Sequence, residues 1–232
     1  LGGLILLKSI SKKLPEYNYV YLGDTKRVPY GNRSQKAIYQ FTKQAIDYLF
    51  RNDCKIVIIA CNTASTRALR KLQQEYLPKY YPDRKILGVI IPMTEVAAQD
   101  KSINRVGVIA TKATVSSKVI TKEYKKLNPR ASIFELATPL LVPLIESNQL
   151  DLAKPVLEKY IRKFDDKNIS TLLLGCTHYP ILKNQIRKVV RRGVKVVSQD
   201  EIIPAKLKLY LKNHPEIRDD LSKNNKVELL VT

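Results

Sequence analysis

The sequence is poor in the residues that hold disulfide-rich and metal-binding proteins together. It has three cysteines among 232 residues, at positions 54, 61 and 176. So sparse and odd a set cannot form a disulfide framework and suits a reducing compartment, so we expect a cytoplasmic protein. The two histidines, His178 and His214, have no helical or Cys-x-x-Cys spacing around them, so we expect no metal site.

Long apolar runs are also missing. The longest, such as "LLVPLI", fall far short of the ~20 residues that a membrane-spanning helix needs, so we expect no membrane partner. Hydrophobic residues make up 44% of the chain and charged residues 27%. This balance is typical of a globular protein with an ordinary core.

Positive charge is in excess. Lysine and arginine total 41 against 21 acidic residues, which gives a formal net charge of +20. Such an excess can mark a nucleic-acid-binding protein. Here the basic residues are spread along the whole chain, without a basic tail, a zinc-finger spacing or a ribonucleoprotein aromatic motif. We interpret them as a solvated lysine-rich surface, and a specific nucleic-acid partner is not expected.

Short aliphatic runs alternate with amphipathic stretches along the chain, a pattern typical of parallel strands joined by helices. Because the runs are continuously apolar, both faces of each sheet should be covered, which predicts an α/β class. The predicted strands are 18–22, 55–60, 85–90, 105–110, 132–136, 171–175, 194–198 and 226–232.

One predicted helix has a clear start and a clear apolar face. Ser34 is a candidate N-cap for "SQKAIYQFTKQAIDYLF". The helical period puts five apolar side chains on one stripe. They are Ala37, Ile38, Phe41, Ala45 and Leu49.

Two segments share an unusual pattern: an aliphatic strand, a small residue, a cysteine and then polar side chains before a helix. They are "KIVIIACNTAS" (55–65) and "TLLLGCTHYP" (171–180). In open α/β sheets ligands bind at the carboxyl ends of strands. The two segments lie about one domain apart, so two domains facing each other would bring Cys61 and Cys176 to opposite walls of one cleft.

Several chemistries could use these thiols. A cysteine hydrolase needs one nucleophile and one base, which leaves the second cysteine turn unexplained, and a redox pair is more often Cys-x-x-Cys. A proton-transfer enzyme fits better, because inversion of a carbon centre needs two bases of similar pKa on opposite faces. His178 would then orient Cys176 or accept its proton. Buried, inert cysteines and a structural histidine remain the alternative.

The motifs resemble those of the cofactor-independent aspartate/glutamate racemase superfamily, and within it the glutamate racemases. "ACNTAS" (60–65) points to the superfamily, while "PYG" together with "GCTHYP" (175–180) is specific to the glutamate enzymes. The resemblance covers essentially the whole chain and also includes "LGGL" (1–4), "YLGDTKRVPYGNRS" (21–34), "GVIATKAT" (107–114) and "PLLVPLIES" (139–147).

The resemblance implies a fold, a reaction and a set of site residues. The implied fold is two Rossmann-like α/β domains with parallel sheets facing across a central cleft, the first formed by 1–91 and 198–232 and the second by 92–197. The implied reaction interconverts L- and D-glutamate without pyridoxal phosphate or metal, supplying D-glutamate for peptidoglycan. The implied catalytic residues are Cys61, Cys176, His178 and Glu146. The implied substrate-binding residues are Tyr30, Gly31, Asn62, Thr63, Thr111, Thr114, Thr177 and His178.

Some features depart from the family pattern or fall outside it. Relatives carry Asp-Ser-Gly immediately before the position of Leu1, where the aspartate assists the first cysteine, and they continue beyond "VELLVT". The segment "SQDEIIP" (198–204) lacks a common serine-glycine, from which we predict nothing. Asp24 and Arg27 are predicted to form a structural salt bridge.

The resemblance also implies a homodimer. The alternatives are an aspartate or other amino-acid racemase of the same superfamily, and an inactive or binding relative that uses its basic surface.

Overall fold

The computed structural model describes residues 1–100 and 104–232, apart from the side chain of Asn32. Its eight strands confirm the eight predicted segments, with ends shifted by two residues at most. The strands are β1 (Tyr19–Gly23), β2 (Ile56–Ile59), β3 (Lys85–Gly88), β4 (Arg105–Ala110), β5 (Ser132–Ala137), β6 (Thr171–Gly175), β7 (Lys195–Val197) and β8 (Val227–Val231).

Helices connect the strands throughout. They are α1 (Gly2–Lys13), α2 (Gln35–Arg51), α3 (Asn62–Ala64), α4 (Leu77–Tyr80), α5 (Ile90–Ala97), α6 (Lys112–Ser117), α7 (Val119–Leu127), α8 (Leu141–Glu146), α9 (Leu150–Ile161), α10 (Lys183–Val189), α11 (Gln199–Asn213) and α12 (Pro215–Arg218). The chain from α3 to α4 is also helical and includes two π-helical segments, Ser65–Leu69 and Leu72–Tyr76. Short 3-10 turns lie at Tyr30–Asn32, Arg162–Lys167 and Tyr179–Leu182.

The strands pair in parallel, as the apolar runs predicted. Four form one sheet in the order β5-β4-β6-β7, while β1 pairs with β8 and β2 pairs with β3. In the four-stranded sheet, Ala110 at the end of β4 is opposite Gly175 at the end of β6. The residues that follow these strands, Thr111 and Cys176, therefore begin adjacent loops at one edge of the sheet.

Strand β6 is covered on both faces. All five of its residues are buried. Leu172 and Leu174 contribute to one hydrophobic cluster, while Leu173 contributes to another, because successive side chains of a strand point to opposite faces. This burial anchors the strand that carries the second cysteine turn.

Helix α2 has the predicted cap but a different buried face. The Ser34 hydroxyl accepts a hydrogen bond from the backbone N–H of Ala37 at 3.2 Å. Phe41 is only half-buried because it lies at the flank of the helix, where its ring is 4.5 Å from the Arg27 guanidinium. The predicted stripe was thus wrong for Ala37, Phe41 and Ala45; the buried residues are Ile38, Thr42, Ile46, Leu49 and Phe50.

Within residues 1–100 and 104–232, no helix combines the length and the apolar character that crossing a bilayer requires.

Truncation of Leu173 should destabilise the whole fold. Leu173 is fully buried, so Leu173→Ala removes buried methyl groups and leaves a cavity in the middle of the sheet. We expect a loss of about 2–5 kcal/mol in the free energy of unfolding, measured by urea denaturation. Leu152→Ala is the matched control, because Leu152 is 56% exposed and should change stability by less than about 0.5 kcal/mol. Equal losses in the two variants would contradict this account of the core.

Candidate active site

Cys61 lies between β2 and α3. It is the N-cap residue of α3, and the backbone N–H groups of Ala64 and Thr63 and the Thr63 hydroxyl lie close enough to its sulfur to lower its pKa. Burial raises the pKa of the Cys61 thiol, and these donors offset that rise only in part. The turn thus holds a protonated thiol but offers donors that would stabilise a thiolate.

Cys176 occupies the equivalent position after β6. Burial raises the pKa of its thiol to about 12, and the backbone N–H of His178 opposes this rise. Negative charge on Cys61 or Glu146 raises the pKa of Cys176 further, which places the two thiols within electrostatic reach of each other. Both thiols are therefore protonated at neutral pH in this structure.

The two cysteine turns are in direct contact. The Thr177 hydroxyl donates a hydrogen bond to the carbonyl oxygen of Ala60, the residue before Cys61, at 3.0 Å. Cys176 is a buried member of the hydrophobic cluster that includes Leu174, whereas Cys61 packs against a different cluster, the one that includes Ile59. The chain thus brings two predicted catalytic residues from 115 positions apart into one region.

A third turn joins the same edge. The Thr111 hydroxyl caps α6 by accepting the backbone N–H of Thr114 at 3.2 Å, and it lies 2.9 Å from the Thr63 hydroxyl. The backbone of Gly31 packs against Thr111, since a Cβ built there would be 3.7 Å from the Thr111 Cβ. The structure therefore brings together four predicted substrate-binding residues: Gly31, Thr63, Thr111 and Thr114.

His178 connects Cys176 to a carboxylate. Its Nδ1 is 3.6 Å from the Cys176 sulfur, and its Nε2 is 2.5 Å from Glu146 Oε1. Burial lowers the pKa of the His178 imidazole despite the neighbouring carboxylate. Burial alone would raise the pKa of Glu146, but the hydrogen bond from His178 and its charge lower it overall.

The lowered pKa values of His178 and Glu146 define the protonation state of these two side chains at neutral pH. A neutral imidazole that donates Nε2–H to an ionised Glu146 has its lone pair on Nδ1. That lone pair faces the thiol of Cys176. The Gly2 N–H also lies 3.3 Å from Nε2, a longer contact than the charge-assisted one to Glu146. His178 is thus placed to accept the proton of Cys176.

Tyr30 is held by a polar network at the edge of this region. Its hydroxyl donates to the Asp24 carboxylate, which also accepts a hydrogen bond from Arg27 at 2.8 Å. Burial and the bond to Asp24 raise the pKa of the Tyr30 phenol. The predicted structural ion pair of Asp24 and Arg27 is confirmed, and it fixes the loop that carries Gly31.

Asn62 has a partner that the sequence did not suggest. Both ends of its buried carboxamide are hydrogen-bonded to the side chain of Gln199, each at 2.8 Å. Gln199 is the first residue of α11, and no motif in the sequence marks it.

Tyr21 was also missed. Burial raises the pKa of its phenol, and the neighbouring Glu146 and Cys61 raise it further, so it lies near both. Tyr21 is the middle residue of β1, and the available signal was its place at the start of the motif "YLGDTKRVPYGNRS" (21–34).

A groove of about 350 Å³ borders the first cysteine segment, whose Ile58 and Ser65 line it, but does not include the thiols. Its walls come from the helical segment after α3 and from α5, α7 and α11, and they include Arg70, Glu95, Glu123 and Lys206. Neither Cys61 nor Cys176 lines it. The chemistry of the thiols therefore belongs to the contact between the turns and not to this groove.

Parallel sheets whose carboxyl edges present two thiols, hydroxyl groups and a histidine–carboxylate pair define an α/β protein suited to acid–base chemistry. The sequence profile described as Asp/Glu/Hydantoin racemase matches residues 6–202, and the chain belongs to this family. The resemblance inferred from the motifs is thereby confirmed.

Individual relatives agree. The chain is 37% identical over 214 residues to the glutamate racemase of Aquifex aeolicus, an alignment covering 91% of this chain and 80% of that protein. It is 37% identical over 233 residues to glutamate racemase 1 of Caldanaerobacter subterraneus subsp. tengcongensis, covering 100% of this chain and 84% of that protein. The structure of glutamate racemase from Francisella tularensis subsp. tularensis in complex with D-glutamate matches with a TM-score of 0.87 and 32% identity, covering 100% of this chain and 84% of that one.

The raised pKa of Cys176 should be visible in its reactivity. Alkylation requires the thiolate, and at pH 8 a thiol with a pKa of about 12 is only ~10⁻⁴ ionised. We expect the rate of iodoacetamide labelling at Cys176, measured by peptide mass spectrometry, to rise tenfold per pH unit up to pH 10 without a plateau. The shape of the profile is informative because burial lowers the rate at every pH. A rate that levels off between about pH 9 and pH 10, as for a free cysteine with a pKa near ~8.5, would contradict the assignment.

Proposed function

We propose that the protein interconverts L- and D-glutamate by a two-base mechanism in which Cys61 and Cys176 exchange protons with opposite faces of the α-carbon. The observation that carries this proposal is the contact between the two cysteine turns, with the thiols within electrostatic reach of each other. Two thiols are matched in intrinsic basicity, as a reversible inversion requires.

In each turnover one cysteine starts as a thiolate and the other as a thiol. The thiolate removes the α-proton of glutamate and becomes a thiol, leaving a carbanion. The opposite thiol gives its proton to the other face of that carbanion and becomes a thiolate. Proton count is conserved, and the reverse reaction uses the same two groups with exchanged roles.

His178 and Glu146 support the Cys176 side of this reaction. Nδ1 of the neutral imidazole accepts the Cys176 proton, and the Glu146 carboxylate stabilises the imidazolium that forms. On the Cys61 side the backbone N–H groups of Thr63 and Ala64 stabilise the thiolate. The two halves of the site thus stabilise their thiolates by different means.

The substrate assignment is supported by the named relatives, which are glutamate racemases, and by the relative whose structure contains D-glutamate. Hydroxyl groups of Thr63, Thr111 and Thr114 lie at the same edge and can donate hydrogen bonds to a carboxylate. We assign Tyr30, Gly31, Asn62 and Thr177 to the walls of the same site. The product D-glutamate would supply bacterial peptidoglycan synthesis in the cytoplasm.

We also propose the division into a first domain (1–91 and 198–232) and a second (92–197). The pairing of strands supports it, because β4–β7 form one sheet while β1, β2, β3 and β8 pair only among themselves. Self-association as a homodimer is proposed as well.

Replacement of either cysteine should abolish racemisation. Cys61→Ala or Cys176→Ala removes one of the two proton carriers, so we expect turnover to fall more than about 10³-fold, with folding retained by circular dichroism. The assay follows optical rotation and α-hydrogen exchange in D₂O from each enantiomer. Cys54→Ala is the matched control and should keep wild-type turnover, because the charged groups near Cys54 are Asp53, Arg84 and Glu228, none of which belongs to the site.

Two outcomes would contradict the proposal. Near-normal turnover by either site variant would exclude a two-cysteine mechanism. Faster racemisation of aspartate than of glutamate by the wild-type protein would replace the substrate assignment with that of a sister enzyme.

Replacement of His178 should affect the two directions unequally. Since the enantiomers have equal energies, kcat/KM must stay equal in both directions, and the asymmetry appears in kcat. His178→Asn should lower kcat by roughly 10²-fold with one enantiomer and by much less with the other. Initial rates from each pure enantiomer measure this, and His214→Asn, at an exposed position, is the control. An equal loss in both directions would indicate general positioning instead.

A further inference from the structure

Gln199 forms a fully satisfied buried network. Its Nε2 group donates hydrogen bonds to Asn62 Oδ1 at 2.8 Å and to the Val89 carbonyl at 3.0 Å, while its Oε1 accepts from Asn62 Nδ2 at 2.8 Å. Asn62 and Gln199 are 2% and 1% exposed, and Val89 is fully buried. Because water cannot easily replace these bonds, the network is costly to disrupt and holds its members in one geometry.

The network joins three points of the chain that are far apart in sequence. Val89 lies between β3 and α5, where the chain leaves the β2–β3 sheet. Gln199 lies two residues after β7, where the chain returns from the four-stranded sheet. Asn62 is 137 residues before Gln199 and directly follows Cys61 in the chain. The side chain of Gln199 therefore links both crossings between the sheets to the first cysteine turn.

The orientation of Asn62 bears on the sulfur of Cys61. Asn62 is the first residue of α3, and the N–H groups that lower the pKa of the Cys61 thiol belong to Thr63 and Ala64, the two residues directly after it. A second bond in the same turn runs from the Ser65 N–H to the Cys61 carbonyl at 2.8 Å. Rotation of the peptide units on either side of Asn62 would move the N–H groups of Thr63 and Ala64 away from the Cys61 sulfur.

We propose that Gln199 is a positioning residue for Cys61, acting through Asn62. It does not touch the thiol; it sets the turn in which the thiol meets its hydrogen-bond donors. The inference rests on the proposed two-base function and extends it to a residue of α11. Its effect belongs to the Cys61 half of the reaction, whereas His178 serves the Cys176 half.

The kinetic test is a comparison of isotope effects. In Gln199→Ala we expect kcat to fall about tenfold or more, with little change in KM. With α-deuterated substrate, the primary isotope effect should increase for the enantiomer whose deuteron Cys61 removes, the one less affected in His178→Asn. Isotope effects are independent of the active fraction, so the test remains valid if part of the variant is unfolded. Equal isotope effects in both directions would overturn the proposal.

A double-mutant cycle tests whether Gln199 acts through Asn62. If it does, the combined variant Asn62→Ala/Gln199→Ala should be hardly slower than the slower single variant. Multiplication of the two losses would show independent roles and overturn the proposal. Gln73→Ala is the matched control, since this glutamine donates to the Ile86 carbonyl at 2.7 Å away from both cysteine turns. Its kcat should stay within twofold of the wild type.

A substrate-free measurement separates this inference from the proposed function. In Gln199→Ala, hydrogen–deuterium exchange of the backbone N–H groups in 62–66 should accelerate at least tenfold, while exchange in 171–178 changes less than twofold. If the wild type fails to racemise glutamate and this local change occurs, the function is wrong and the positioning role stands. If exchange in 62–66 is unchanged, the positioning role is wrong whatever the substrate.

Discussion

Burial of two thiols that have to exchange protons is the constraint on which the site depends. Removal from water raises the pKa of both Cys61 and Cys176, so neither can act as a base without local help. For Cys61 that help comes from N–H donors at the start of a helix. For Cys176 it comes from the neutral imidazole of His178, whose other nitrogen is bonded to Glu146. A dry environment strengthens each of these interactions, which is why a site of this kind benefits from the burial that it has to overcome.

The backbone arrangement makes these distances possible. Parallel pairing brings the ends of β4 and β6 level, with Ala110 opposite Gly175, so the turns that follow them are neighbours. Side-chain hydrogen bonds then join turns from different sheets, from Thr177 to the Ala60 carbonyl and between Thr63 and Thr111. The small residues before each cysteine leave room for this approach. A Cβ on Gly175 would lie 3.0 Å from the Cβ of Ala110.

Features encoded by short stretches of sequence were predictable, and features created by tertiary contacts were not. The eight strands, the Ser34 cap and the two cysteine turns follow from hydrophobic period and local chemistry, and all are present. The buried face of α2 was misjudged because Arg27 and Tyr30 pack on Phe41 from outside the helix. The role of Gln199 could not be predicted, because a glutamine at the start of a helix is common and its partner Asn62 lies 137 residues away in the sequence. Tyr21 is a similar case, because its neighbours Cys61 and Glu146 lie on other elements.

Buried amides hold the point where the chain returns to the proposed first domain more firmly than surface charges hold the two proposed domains together. Ion pairs also cross between elements, such as Arg70 with Glu123 and Lys206 with Glu95, but each has an exposed partner that water and salt can replace. Such pairs contribute roughly 0–1 kcal/mol each. The side chains of Asn62 and Gln199 are buried, so separating them would leave hydrogen-bond donors and acceptors unpaired. Each unpaired group would destabilise the fold by about 1–3 kcal/mol. The network of Asn62, Gln199 and Val89 therefore resists local rearrangement of the first cysteine turn, on whose geometry the proposed proton transfer depends.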